Sequence, residues 1–185
     1  MGCSTIFLFF LLLSLAFPQQ IFHPSHIFAR GDMDLIQKTC KNTKYYDLCV
    51  SSLKSNATSS KADTKGLALI MIGIGIANAT ATSSYLSSQV PCSVNDTVLK
   101  KVLKECADKY SYAGDALQAS VQDLAMESYD YAYMHIMAAA DYPNGCHNAF
   151  RRYPAVAYPP EIVRREQGLK HICDVVLGII DLLGW

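Results

Sequence analysis

From Leu99 onward, apolar or small side chains return every three or four positions: Leu99, Leu103, Cys106, Tyr110, Ala113, Leu117 and Leu124, with Ser120 filling the gap before the last. That period is one face of an α-helix packed into a bundle. Lys100, Lys101, Lys104, Glu105, Asp108, Lys109 and Asp115 fall between and form a wet face, and Asn95 or Asp96 can cap the amino-terminal end. A second long helix is expected from about Thr64 to Ser88, capped by Asp63 or Thr64. Its first half, Leu67 to Ala77, is apolar nearly all round, as suits a helix buried on several sides. A third runs from about Tyr129 to Phe150 with Tyr129, Tyr133, Ile136 and Ala140 in register. Pro143-Asn144-Gly145 interrupts it, and because an interior proline costs about 3 kcal/mol the pattern predicts a kink or break just before Cys146. Tyr153 to Pro160 reads as a connector, after which Glu161 to Leu183 forms a last helix with the stripe Ile162, Leu169, Ile172, Val176, Ile180 and Leu183. The expectation is an all-α fold, an antiparallel up-down four-helix bundle, with Asp32 to about Ser55 left over as a pair of shorter helices.

The start of the chain carries a different signal. Met1 to Ala29 contain no Asp, Glu, Lys or Arg, and Ile6 to Phe17 is an almost unbroken apolar run, the pattern of a secretory signal peptide with Ala16 and Ala29 as candidate cleavage residues. The run is shorter than the about 20 apolar residues a bilayer core requires, and no second stretch of that length is read further on. A myristoylation reading of the Met-Gly start fails because the sixth residue is Ile6. The expected organisation is a leader at 1–29 and one domain at 30–185, divided into a helical hairpin (30–60) and the bundle (61–185). Three sequons fit a secreted chain: Asn56-Ala-Thr58, Asn78-Ala-Thr80 and Asn95-Asp-Thr97. Asn56 and Asn95 lie in polar connectors and are the better acceptors, whereas Asn78 falls inside a helix.

Secretion also decides how the cysteines are read. Cys40 and Cys49, nine positions apart, would be metal or redox candidates in the cytosol, but in an oxidising compartment their default is a disulfide clasping a short hairpin. The six cysteines beyond the leader allow 15 connectivities in principle.

Charge and motifs exclude more than they assign. Sixteen basic residues balance 16 acidic ones, so there is no global field to draw in nucleic acid or a membrane surface, and a partner must be recognised by shape. His135, His147 and His171 form no His-Glu-x-x-His, and there is no Cys-x-x-Cys, so no metal or cofactor is expected. Gly73-Ile-Gly75 lacks the strand and third glycine of a dinucleotide site, and no nucleophile elbow or P-loop is present. Asp123, Glu127 and Asp130 describe a solvated face better than a catalytic pair. The chain is read as a non-enzyme.

Thr39-Cys40, Tyr45-Tyr46-Asp47-Leu48-Cys49, Ala68-Leu69-Ile70-Met71, then Cys106 on one long helix and Cys146 on the next, preceded by a leader, resemble the plant invertase and pectin methylesterase inhibitor family over essentially the whole mature chain. Asp130-Tyr131-Ala132 and the aliphatic last helix are nearest in style to the subgroup of the plane-tree pollen allergen. The resemblance implies a four-helix bundle with an amino-terminal hairpin, stapled by disulfides Cys40–Cys49 and Cys106–Cys146. In the chain-entropy model these loops would be worth about 2.7 and 3.9 kcal/mol. Cys92 and Cys173 depart from the four-cysteine pattern, as two free thiols or a third bridge.

The resemblance further implies a secreted inhibitor, in the apoplast and cell wall or in the vacuole, that binds one carbohydrate-acting enzyme one to one and blocks its cleft. Invertase inhibitors of the family insert a Pro-Lys-Phe motif at the turn between the second and third bundle helices. The corresponding residues here are Tyr129, Asp130 and Tyr131, which tilts the expectation slightly toward pectin methylesterase. Tyr131 points away from the core stripe and is the better contact candidate. A carrier that holds an apolar molecule beside Leu67 to Ala77 is the alternative.

Overall fold

Four apolar-striped helices joined by short connectors bury every stripe at once by packing antiparallel. The computed structural model, which describes residues 30–91 and 96–184, has this architecture. The leader, Cys92 and Asn95 lie outside the described residues. The elements are α1 (Arg30–Cys40), α2 (Tyr46–Ser55), a 3₁₀ turn (Ala57–Lys61), α3 (Thr64–Gln89), α4 (Thr97–Ala125), α5 (Tyr129–Arg151), α6 (Pro160–Ile180) and a closing 3₁₀ turn (Asp181–Leu183). Contacts run α3 to α4, α4 to α5, α5 to α6 and α6 back to α3, so the bundle is square in section with α3 diagonal to α5.

Local chemistry fixes where the helices begin. Asp63 accepts from the Gly66 N–H at 2.7 Å and Asp96 from the Leu99 N–H at 2.8 Å, each satisfying an amide that has no partner within its helix. Pro160 opens α6 at the first helical position, where its missing N–H costs nothing. The α4 stripe from Leu103 to Leu124 is buried throughout. On α5 the buried line is Ala132, Ile136, Ala139, Pro143, Cys146 and Ala149, while Tyr129, Tyr133 and Ala140 are half-buried at its edge. Alanines hold the inner line because α4 and α5 approach closely.

That approach explains the largest departure from the sequence pattern. α5 continues unbroken through Pro143, which is buried, and no break precedes Cys146. Cys106 and Cys146 are disulfide-bonded with their Cα atoms 4.4 Å apart, and a Cβ added at Gly145 would stand 3.0 Å from Lys109 Cδ. Gly145 is thus used for helix contact and not for a turn. Pro143 leaves the Ala139 carbonyl without its helical donor, and burial of the surrounding turn against α4 and α6 outweighs that loss.

α3 corrects a second expectation. By length and composition alone it is long and apolar enough to cross a bilayer, so an apolar stretch longer than the leader's does follow it. Leu67, Ala68, Met71, Ile72 and Gly75 are buried, and α3 packs against both α4 and α6. Gly75 meets Leu117 and Ile172 across these seams, at 3.1 and 3.4 Å from an added Cβ. The apolar stretch that would have served a carrier is occupied by helix packing.

The α1–α2 hairpin is clasped by Cys40–Cys49 (Cα–Cα 5.6 Å) and lies along the last turns of α6. There a Cβ added at Gly178 would come within 2.8 Å of the Asn42 carbonyl oxygen and 3.0 Å of Thr43 Cα, so only glycine admits the hairpin backbone. Tyr45 stacks on His171 at 3.9 Å and Lys44 pairs with Asp174 at 3.1 Å, extending the seam.

Candidate functional site

The turn from α4 to α5 is a short helix-to-helix reversal at the same end of the bundle as the start of α3. The Ser128 N–H donates to the Asp123 carbonyl at 2.9 Å and the Glu127 N–H to the Leu124 carbonyl at 3.2 Å, the paired bonds of a Schellman cap. Glu127 takes the left-handed conformation (φ 57°) that usually falls to glycine, at a cost of about 1 kcal/mol. Two side-chain pairs brace the reversal. His135 Nδ1 lies 2.6 Å from Asp123 Oδ2, and because a carboxylate only accepts, the ring carries its proton on Nδ1. Lys65 Nζ reaches Glu127 Oε1 at 3.4 Å and ties the start of α3 to the turn.

What this frame presents to water is unusually apolar. Met126 is 68% exposed, Tyr131 and Met134 are each 63% exposed, and Leu182 on the closing 3₁₀ turn is also exposed. Tyr131 and Met134 stand three residues apart and so share one face of α5. Of the three positions anticipated for target contact, Asp130 and Tyr131 are exposed and Tyr129 is half-buried against the core. All three line a shallow hollow of about 290 Å³ together with Glu127, Ser128 and Gly184. Met126 and Met134 were missed from sequence because a lone methionine in a helical stretch reads equally well as core filler.

Ionisable groups elsewhere hold structure together. Near the opposite end, Glu166 is almost buried on α6 and accepts from Tyr158 Oη at 2.7 Å and Lys170 Nζ at 2.7 Å, with His147 Nδ1 3.6 Å away. Burial pushes its carboxyl up, but the Lys170 and Tyr158 bonds and the nearby positive charges outweigh that and hold it below the ordinary value. This network pins the 152–159 connector to the bundle. Cys173 is a free, buried thiol pushed up to about 12, chiefly by burial and also by Asp174, which leaves it inert as a nucleophile. Among the described residues no cluster of three or more His, Cys, Asp or Glu could hold a metal.

The family model for plant invertase/pectin methylesterase inhibitors matches residues 34–179, which takes in the hairpin and all four bundle helices. The chain belongs to that family. Its members are inhibitors and not catalysts, so the protein is an inhibitor of a plant carbohydrate-acting enzyme. The chain is 56% identical to the cell wall / vacuolar inhibitor of fructosidase 2 of Arabidopsis thaliana, over 80% of this chain and 83% of that protein. It is 38% identical to pectinesterase inhibitor 28 of Oryza sativa subsp. japonica, over 80% of this chain and 69% of the relative. A crystal structure of a mutant form of a pectin methylesterase inhibitor from Arabidopsis has the same fold, with a TM-score of 0.64 at 23% identity over 82% of this chain and 96% of that one.

Proposed function

We propose that this inhibitor is secreted and acts on a fructosidase of the acid invertase class, binding it one to one with the α4–α5 turn directed into the enzyme's cleft. The observation that carries the choice of target is the 56% identity to a fructosidase inhibitor, against 38% to a pectinesterase inhibitor. The geometry of the turn supports the choice of surface: a braced backbone carries Met126, Tyr131 and Met134 into solvent, and tyrosine and methionine are both enriched at protein interfaces. The leader, with the cell wall / vacuolar designation of the relative, supports an extracellular location or, alternatively, the vacuole.

Pectin methylesterase is the second reading, favoured by one observation. The turn carries Tyr129, Asp130 and Tyr131 in place of the Pro-Lys-Phe of invertase inhibitors.

Refolded mature protein incubated separately with a cell-wall invertase and a pectin methylesterase, across acidic pH, separates the two. Loss of invertase activity at near-equimolar inhibitor is expected. Full invertase activity with slowed methylesterase would transfer the assignment to the second enzyme, and no effect on either would remove both.

A further inference from the structure

The structure treats two of the three sequons oppositely. Asn78 lies within α3, where residues two apart face different sides of the helix, so the Thr80 hydroxyl is turned away from the Asn78 amide. The Asn78 side chain is also committed to the seam with α6. Its Oδ1 is buried, and its Nδ2 lies 3.7 Å from where a Cβ at Gly168 would stand. A sugar on that nitrogen would have to occupy the space between α3 and α6.

Asn56 sits between α2 and the 3₁₀ turn in extended backbone (φ −100°, ψ 119°). Its Oδ1 accepts from the Thr58 N–H at 2.9 Å and from the Thr58 hydroxyl at 2.7 Å. Both ends of the sequon are therefore already in contact through the carbonyl oxygen, and Nδ2 makes no hydrogen bond among the described residues. Asn56 itself is half-buried, but it lies in a connector outside any helix seam with Ala57 and Thr58 exposed beside it, so the folded chain can carry a glycan there without moving a helix.

We infer that Asn56 is an N-glycosylation site of the secreted protein and that Asn78 is not. The donor class is an oligosaccharide linked through a diphosphate to a lipid. Nδ2 of Asn56 forms a bond to the anomeric carbon and gives up one proton, while the carbon–oxygen bond to the diphosphate breaks and the lipid diphosphate leaves with the electron pair. The inference rests on the secretion reading, because the donor is met only in the secretory compartment.

The full chain is expressed in plant cells, alongside residues 30–185 behind an unrelated secretory leader. Protein from the medium is cleaved with an amidase that releases Asn-linked sugars in heavy-oxygen water, which marks each formerly glycosylated Asn as labelled Asp in peptide mass spectra. Label at Asn56 and none at Asn78 is expected. Asn56→Gln and Thr58→Ala should each lower the intact mass by one glycan, Thr58→Ser should retain it, and Asn78→Gln should leave the sugar content unchanged. Unlabelled Asn56 in the leader-swapped secreted protein, or label at Asn78, overturns the inference. A full chain that stays in the cell unmodified while the leader-swapped protein is labelled at Asn56 refutes the leader reading and sustains the site.

Discussion

The hairpin seam and the α4–α5 turn are both irregular joints, yet they are built in opposite ways. At the seam a disulfide closes the hairpin, backbone lies within 3.0 Å of the space above Gly178, and a ring pair and an ion pair extend the contact over α6. Its large apolar residues, Ile36 and Leu53, are fully buried. At the turn the backbone is held by two cap bonds and two side-chain pairs, one residue sits in a left-handed conformation, and the large apolar groups face water. The seam shows how a short appendage with little core of its own is kept folded. The turn shows the reverse arrangement, a braced support that holds large apolar side chains in water.

Removing the clasp tests this contrast most severely. Cys40→Ala combined with Cys49→Ala should lower unfolding stability by about 2.7 kcal/mol in the chain-entropy model, with hydrogen exchange in α1 and α2 rising first. Inhibition measured well below the new melting temperature should persist. Equal loss of inhibition would mean that the hairpin itself contacts the target.

Tyr131→Ala should do the opposite. Truncating an interface anchor costs about 2 kcal/mol of binding, roughly a thirtyfold weaker inhibition constant, while the thermal melt should not move, because Tyr131 is 63% exposed. An unchanged inhibition constant would remove this face of α5 from the interface.

Glu166→Gln removes a nearly buried charge far from the turn and should cost about 1.5 kcal/mol, with target affinity retained. The sign of its pH dependence follows from the lowered carboxyl. In the native chain the stabilisation is complete above the unfolded carboxyl value and is lost as pH falls through the lower folded value. Urea unfolding between pH 5 and 2 (roughly the carboxylate range) should therefore be flatter for the variant than for the native protein.

The smallest effect is expected at Glu127. Replacement by Gly relieves the left-handed conformation but loses the exposed Lys65 pair, for a net gain of about 0.5 kcal/mol. A matched Glu127→Ala variant should be no more stable than the native protein. The two are compared by denaturant midpoint.

Much of the bundle was legible because a helix period shows in the chain at first hand. α3 and α4 begin at Asp63 and Asp96 caps, within the alternatives their sequences allow. The stripes are buried from Leu103 to Leu124 on α4 and from Ile162 to Ile180 on α6, while Leu99 and Leu183 at their ends are half-buried and Leu183 falls in the closing 3₁₀ turn. α5 was read less well. Of its expected stripe Tyr129, Tyr133, Ile136 and Ala140, only Ile136 lies on the buried line, which otherwise takes Ala132 and Ala139 one position away, since distance to α4 decides which side chains fit inside. Pro143 and Gly145 carried the chemistry of a turn, and only the 4.4 Å approach of Cys106 and Cys146 shows why they belong to an unbroken helix. At the candidate site Tyr131 could be found from its place on the helical wheel, whereas Met126, Met134 and the His135–Asp123 brace depend on contacts between helices.

By itself the sequence determined the all-helical class, the number and order of the long helices and the buried stripe of α4, because each follows from local period, capping and spacing, whereas the candidate residues at 129–131 came from the family resemblance. The tertiary structure alone decided that Pro143 stays helical and that Gly178 receives the hairpin. Those outcomes turn on how near one helix comes to another, a distance that depends on the summed packing of residues far apart in the chain.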